Sequence, residues 1–226
     1  GIAAANYSLT NAPGIPVIHS YITEFQYLKY EITHPQVNHF SILLDQPLQR
    51  YLRFVKMLTG LDKIGIIRNK TNTIPNEMIR DYLLNLGINL EQENFEQGDN
   101  PLNKIKNLLQ LSDVLLSLPD PDVYNRQTLK GILLTTYRQN KPVISYSPAH
   151  VKSGALAAIF SSPENIGNQI ADLVKDLQKD NKLKPQNPYY AAEFDIKINQ
   201  RVAKSLGLNF ANKDQVLLKL KAEPAK

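Results

Sequence analysis

Cysteine and tryptophan are absent from this chain, and methionine occurs only twice in 226 residues. Without a thiol there is no disulfide framework, no thiolate nucleophile and no cysteine-held metal. No apolar run approaches the roughly 20 residues that a membrane-spanning helix needs. The opening GIAAANYSLT carries neither a basic leader nor a long apolar stretch. A cysteine-free chain suits an exported domain and a cytosolic one equally, so composition does not fix the compartment. Histidine is scarce: His19, His34, His39 and His150 are the full set. Only His34 and His39 are close in sequence; their spacing does not set two imidazoles on one helical face, and Pro35 between them argues for a loop. They are expected to be solvated, with no metal site. The Gly-rich dinucleotide fingerprint, GxxxxGK[ST], GxSxG and HExxH are missing as well. The expectation is therefore no enzyme, no catalytic residue, no cofactor and no metal.

The apolar share of 42% is enough for a substantial core, and the length allows one large domain or two small lobes. Lys and Arg number 26 against 21 Asp and Glu, a net charge of +5. The cations are dispersed and often sit near acids, which argues against a nucleic-acid partner.

Apolar strands alternate with amphipathic helices. Ile15 to His19 and Phe40 to Leu44 are short apolar runs flanked by turn or polar residues and predict buried strands. From Gln46 the period changes: Pro47 suits a first helical position, Leu48, Tyr51, Leu52, Val55 and Leu58 recur at helical steps, and Gly60 stops the helix. Strands are then predicted over Lys63 to Ile67, Ile88 to Phe95, Asp113 to Leu118 and Pro142 to Tyr146, with helices over Pro75 to Leu86, Pro101 to Leu111 and Asn125 to Gln139 between them. Ala155 to Phe160 reads as a further strand, and Ser161 with Glu164 as a capping box for a helix to about Leu177. Beyond the Pro-rich connector Lys182 to Pro188 come a strand over Glu193 to Ile198, a helix from Gln200 to Leu206 capped by Asn199, and a short amphipathic helix from Lys213. Strands separated by helices predict right-handed crossovers and an α/β class: doubly wound parallel sheets covered on both faces.

Ligands of such sheets lie beyond the carboxyl ends of the strands. That points to the loops His19 to Glu24, Asn69 to Thr73, Leu118 to Tyr124 and Tyr146 to His150. In LPDPDVYN, Leu118 to Asn125, two carboxylates follow a buried strand and precede a helix. Asp122 can cap that helix with Pro121 fixing the turn. Asp120 then has no local task, and it stands where a carboxylate could receive a ligand's ammonium or hydroxyl group.

The order and spacing of several segments resemble the ABC-transporter substrate-binding proteins. Leu118 to Leu173 holds a strand ending in Asp120, a helix leading to Pro142 and Val143, the segment Val151 to Leu156, and a helix opening Ile166 to Ala171. Ile198 to Phe210 resembles the family's ending, and Asp45 to Arg50 (DQPLQR) and Lys63 to Ile67 (KIGII) resemble its lobe-crossing helix and the first strand of its second lobe. The similarity spans nearly the whole chain. It implies a two-lobed periplasmic-binding-protein fold of the first type, with residues 1–45 and about 157–190 as an incomplete first lobe, residues 46–156 as the second, and 191–226 supplying a C-terminal strand and helices. It also implies a periplasmic or secreted solute-binding component of an ABC-type uptake or sensing system, closing a cleft between lobes on a small ligand and working with a permease or membrane sensor.

Residue by residue, Asp120 matches the family's ligand-facing acid. Ser147 stands where the family commonly has an acid, Thr23, Glu24 and Phe25 replace its tDP turn, and Gly1 and Ile2 replace its Gly-Thr, which argues against amino-acid ligands. Ser20, Tyr21, Tyr124, Tyr146 and Ser147 are then candidates for stacking and neutral hydrogen bonds, although tyrosines near strand ends are as often packing residues. The alternative is a degenerate or truncated ligand-binding fold acting as a protein–protein interaction module, whose incomplete lobe is completed by a partner or by a second copy in a homodimer.

Overall fold

The computed structural model describes residues 1–11, 15–34, 39–70, 76–96, 98–180, 188–208 and 212–222. It contains two compact units, Gly1–Gln46 with Phe160–Asp195 and Pro47–Ile159 with Ile196–Lys226. The first unit opens with α1 (Ile2–Asn11), β1 (Val17–Ile22), α2 (Glu24–Thr33) and β2 (His39–Leu43). β1 and β2 pair in parallel, with α2 as the crossover. Pro16 lacks an N–H and falls just before this ladder. The strand begins after it and runs past His19, so Ser20 and Tyr21 lie within β1 rather than in a loop.

α2 occupies sequence that had no predicted element. Its start is a reciprocal capping box: Gln26 N–H donates to Thr23 Oγ1 at 3.2 Å, and Thr23 N–H donates to Gln26 Oε1 at 2.9 Å. α8 (Pro163–Asp180) covers the same unit, Ile166, Ile170 and Leu173 packing around Ile42 and Tyr189. Tyr189 forms a parallel bridge with Ile42 of β2. The predicted connector from Lys182 lies outside the described residues as far as 187.

The second unit starts with α3 (Leu48–Thr59), β3 (Lys63–Asn69), α4 (Asn76–Leu86), β4 (Asn89–Phe95), α5 (Pro101–Leu111) and β5 (Val114–Ser117). It continues with α6 (Leu129–Arg138), β6 (Val143–Ser145), α7 (Pro148–Ser153), β7 (Ala157–Phe160), β8 (Asp195–Ile198), α9 (Gln200–Ser205) and α10 (Lys213–Ala222). The predicted start of α4 at Pro75 lies outside the described residues. α7 replaces part of the loop expected after β6; Ser147 caps it and Pro148 takes its first position, as its missing N–H allows. Among the described residues no helix is long and apolar enough to cross a membrane.

The sheet order is β4-β3-β5-β6-β7-β8, and β3–β4, β3–β5, β5–β6 and β6–β7 are parallel pairs. From β3 the chain steps outward to β4, then returns past β3 to β5 and proceeds the other way. Right-handed crossovers taken in opposite directions place α4 and α5 on opposite faces. This is the doubly wound arrangement, and its switch point lies between β3 and β5. Both faces being covered, the strands are continuous apolar runs, with Ile64, Ile66, Ile67, Val114, Leu115 and Leu116 all buried.

Gly65 sets how closely the layers approach. A Cβ there would stand 2.5 Å from Ser112 Oγ and 2.9 Å from Leu108 Cγ, so α5 lies directly on β3 at this point. Replacing Gly65 by Ala must push α5 away or displace buried Leu108. The expected result is a loss of about 1–3 kcal/mol in unfolding free energy by urea titration.

Candidate functional site

Asp120 follows β5 beside the switch point. Its Oδ2 accepts the N–H of Asn69, at the end of β3, at 3.0 Å, and its Oδ1 accepts the N–H of Asp122 at 3.0 Å. The carboxylate therefore does two local jobs, shaping the LPDPD turn and tying it to the neighbouring strand. Burial raises its pKa above the ordinary carboxylate range, against the lowering pull of the Asn69 and Asp122 amides. The Val123 amide adds a weaker pull in the same direction, and with three amides on about four lone-pair sites the carboxylate keeps room for one further donor. Asp122 does not cap the following helix, whose N-cap is Thr128 without a side-chain cap bond; Asn125 instead closes the turn before it, its Oδ1 accepting the N–H groups of Gln127 at 2.9 Å and Thr128 at 3.2 Å.

Behind Asp120 lie Tyr124 and Ser117. Both are buried; their hydroxyls approach each other, and neither makes a well-formed hydrogen bond to any other group among the described residues. The Tyr124 pKa is pushed upward, first by burial and then by the Asp120 carboxylate, and the nearby Ser117 hydroxyl only partly offsets this. Tyr146 adds a smaller push in the same direction, so the structure brings Asp120, Tyr124 and Tyr146 together.

Past β6, Tyr146 meets the His150 ring edge-on, with centroids 5.0 Å apart at 73°. Ser145 Oγ accepts the Ser147 N–H at 3.3 Å and lies 2.7 Å from His150 Nδ1. The Ser145 hydroxyl has one proton and two lone pairs, so while accepting that amide it can pair with Nδ1 in either neutral tautomer of His150. Burial lowers the His150 pKa to about 4. Ser147 Oγ accepts the Ala149 N–H at 3.3 Å as the cap of α7. Ser117, Ser145 and His150 were not among the expected site residues. The available signal was that the apolar strands LLS and VIS each end in serine, a hydroxyl that buried strands do not need for packing.

In the first unit, Ser20 pairs with Ile42 across the ladder, and Tyr21 sits at an irregularity between Ser20 and Ile22 with φ of 56°. A left-handed backbone is costly for a tyrosine. Its ring packs against the Ile42, Ile166, Tyr189 and Ala191 cluster, and its buried hydroxyl finds no partner among the described residues.

His39 is not a solvated loop residue. It opens β2 at 5% exposure and stacks on His19, also 5% exposed, with centroids 5.4 Å apart at 28°. Tyr30 meets His19 edge-on, Tyr27 meets His39 edge-on, and Ser8 Oγ lies 2.8 Å from His19 Nε2. Burial, then the neighbouring His39, lowers the His19 pKa to about 4; burial lowers that of His39, against the pull of Glu31 at 3.5 Å. Among the described residues no three potential ligands gather for a metal ion.

Residues 14–222 match the family described as ABC transporter substrate binding protein. Among solved structures, an ABC domain in complex with L-Trp from Streptococcus pneumonia is 17% identical with a TM-score of 0.67, over 95% of this chain and 75% of that one. A conserved domain protein from Vibrio cholerae is 22% identical with a TM-score of 0.64, over 95% and 73%. A ligand-free, open substrate binding protein with adhesive properties from Clostridium difficile is 16% identical with a TM-score of 0.65, over 93% and 73%. No curated protein matches this chain significantly.

Two outcomes follow from the geometry. Asp120→Ala strands the Asn69 and Asp122 amides and is expected to cost about 1–3 kcal/mol of stability in urea titration, with Asp120→Asn costing less because one acceptor oxygen remains. The folded pKa of His19 lies below its ordinary 6.5. The unfolded chain therefore binds more protons as pH falls from 6.5 towards about 4, and stability must drop across that window. Thermal melts across it should show the midpoint falling, and His19→Phe should flatten the trend.

Proposed function

We propose, on the premise that this chain belongs to the ABC transporter substrate binding protein family, that it holds a small solute at the switch point of its second unit and presents it unchanged to a permease or membrane sensor outside the cytoplasm. Proteins of this family bind small solutes and work with ABC permeases. The observation that carries the reading is the polar group beyond β5. Asp120 has acceptor capacity to spare, and the buried hydroxyls of Ser117 and Tyr124 face each other with no well-formed hydrogen bond to any other group among the described residues. A ligand donor that meets the remaining acceptor site of Asp120 gains a charge-assisted hydrogen bond at the ends of the strands.

The chemistry of the surrounding residues supports a solute with an aromatic or flat apolar part and neutral polar groups. Tyr146 and His150 offer adjoining rings, His150 is uncharged at neutral pH, and Ser147 supplies a hydroxyl where an acid is common in the family. The streptococcal relative was solved with L-Trp, an aromatic ligand of this general shape. Ser20 and Tyr21 are the candidate contacts of the first unit, the strained Tyr21 backbone being the kind of feature that functional sites retain.

Thermal-shift screening against amino acids, nucleobases and sugars tests the reading. A true ligand at about a hundred times its Kd should raise the melting midpoint by roughly 5 °C, and Tyr146→Ala should remove the rise while leaving the midpoint without ligand nearly unchanged. Absence of any shift, together with a doubled mass in light scattering, would support instead the interaction-module reading. That reading is favoured by one observation: β1 pairs with β2 alone among the described strands.

A further inference from the structure

The stacked His19–His39 pair lies outside the residues proposed to meet a solute, and its surroundings restrict where a proton can go. His19 stands opposite Ser41 in the β1–β2 ladder and His39 opposite Val17, so both imidazoles share one face of it. α1 and α2 cover that face. Ser8 of α1 reaches His19, and Tyr30 and Tyr27 of α2 meet the two rings edge-on. Beside them Ala5 and Leu9 of α1 and the same two tyrosines join Ile22 and Leu43 in one buried cluster.

The Ser8 hydroxyl donates to the Ala5 carbonyl at 2.9 Å, so towards His19 Nε2 it acts as acceptor and Nε2 carries the hydrogen. The opposite tautomer would put a hydrogen on Nδ1, a buried atom that meets no hydrogen-bond partner among the described residues. A proton added to the neutral ring must go to that same Nδ1, where it makes a buried, charged donor with nothing to receive it. His39 is placed differently, its Nε2 facing the exposed Glu31 carboxylate at 3.5 Å. A first proton on His39 therefore meets a counter-charge, whereas a second on His19 meets a like charge with ring centroids 5.4 Å apart. The other ionisable groups around the pair do not offset this. Burial raises the pKa of Tyr27 and Tyr30, Glu31 raising that of Tyr27 further, so both stay neutral. His34 opposes a charge on His39, and the Gly1 amine opposes one on His19.

We propose that this pair is an acid latch on the first unit: one proton is held between His39 and Glu31, and a second, forced onto His19, loosens α1 and α2 from the β1–β2 ladder while the second unit keeps its fold. Loosening admits water to Nδ1 and to the like charges, which removes the cost of the second proton. The direction follows from linkage. The opened form binds protons with the ordinary affinity of histidine and the closed form with less, so falling pH favours opening. The second unit also buries a histidine, but His150 Nδ1 lies 2.7 Å from the Ser145 hydroxyl, which can accept an added proton's hydrogen bond. Acid therefore acts first on the unit whose histidine lacks such an acceptor. The latch is independent of solute binding, since neither Asp120 nor the residues around it take part.

The test follows hydrogen exchange of the whole chain by peptide-resolved mass spectrometry at about pH 7 and about pH 4.5, corrected for the intrinsic pH dependence of exchange. Peptides covering α1 and α2 should lose protection by about tenfold or more in acid, and those covering β5 and β6 should keep theirs. His19→Phe retains a ring that takes no proton and should abolish the loss. Glu31→Gln, at an exposed position, keeps an acceptor for Tyr27 but removes the charge beside His39, and should move the loss to higher pH. The imidazole carbon-bound proton signals, followed by NMR over the same range, should show His39 gaining its proton before His19. Equal loss of protection in both units, an undiminished loss in a folded His19→Phe chain, or protonation of His19 with the α1 amides still protected overturns the proposal. So does a Glu31→Gln chain that opens at the same or lower pH, and that variant alone decides the matter if His19→Phe does not fold.

Discussion

The second unit is organised by β3, a strand buried on both faces with parallel neighbours on both sides. A parallel strand cannot be joined to its neighbour by a tight turn, so each connection must cross a face of the sheet, and handedness decides which face. Because the chain leaves β3 in one direction and comes back past it in the other, both faces receive helices. Gly65 then lets α5 press onto the strand with no side chain between them. The same reversal parts the chain beyond β3 and β5 and opens the place where a ligand can reach strand ends. Layer packing and the position of the candidate site are thus two results of one topological constraint.

Asp120 shows how that place is built. Its carboxylate joins the end of β3 to the turn after β5 by accepting one amide from each. A residue that looks free for a ligand in the chain is, in three dimensions, already half committed to backbone. That does not remove it from a binding role, since a carboxylate has acceptor capacity left. It does mean that a substitution at this residue changes backbone anchoring whatever else it changes. Tyr21 raises the same issue in the first unit, where packing of the ring and a left-handed backbone coincide.

Legibility varied with the kind of signal. Helices with strong periodicity and clear stops, such as α3 before Gly60 and α5 after Asn100, were evident because amphipathic spacing and capping chemistry are local. α2 was missed although Thr23 and Gln26 form a capping box, because its face is only weakly patterned and it follows a strand end where a loop is expected. Asp122 looked like the cap of the next helix; it is not, because the chain makes further turns, with Tyr124 N–H donating to the Asp120 carbonyl at 2.8 Å and Asn125 accepting the Gln127 N–H, before the helix begins at Leu129. His39 was expected in water because Pro35 suggested a loop. It is buried because parallel pairing of β1 with β2 sets it beside His19, twenty positions away in the chain.

The sequence by itself determined the α/β class, the alternation of strand and helix, the family resemblance and the position of Asp120 after a buried strand, since each rests on periodicity, turn chemistry or residue order within short stretches. Only the tertiary structure decided which strands are neighbours, that the switch point falls between β3 and β5, that Asp120 bridges the end of β3 to the turn after β5, and that His19 and His39 stack in a buried cluster. Those facts depend on contacts between residues far apart in the chain. No local pattern encodes them, because they exist only once the crossovers have folded back and the buried faces have closed.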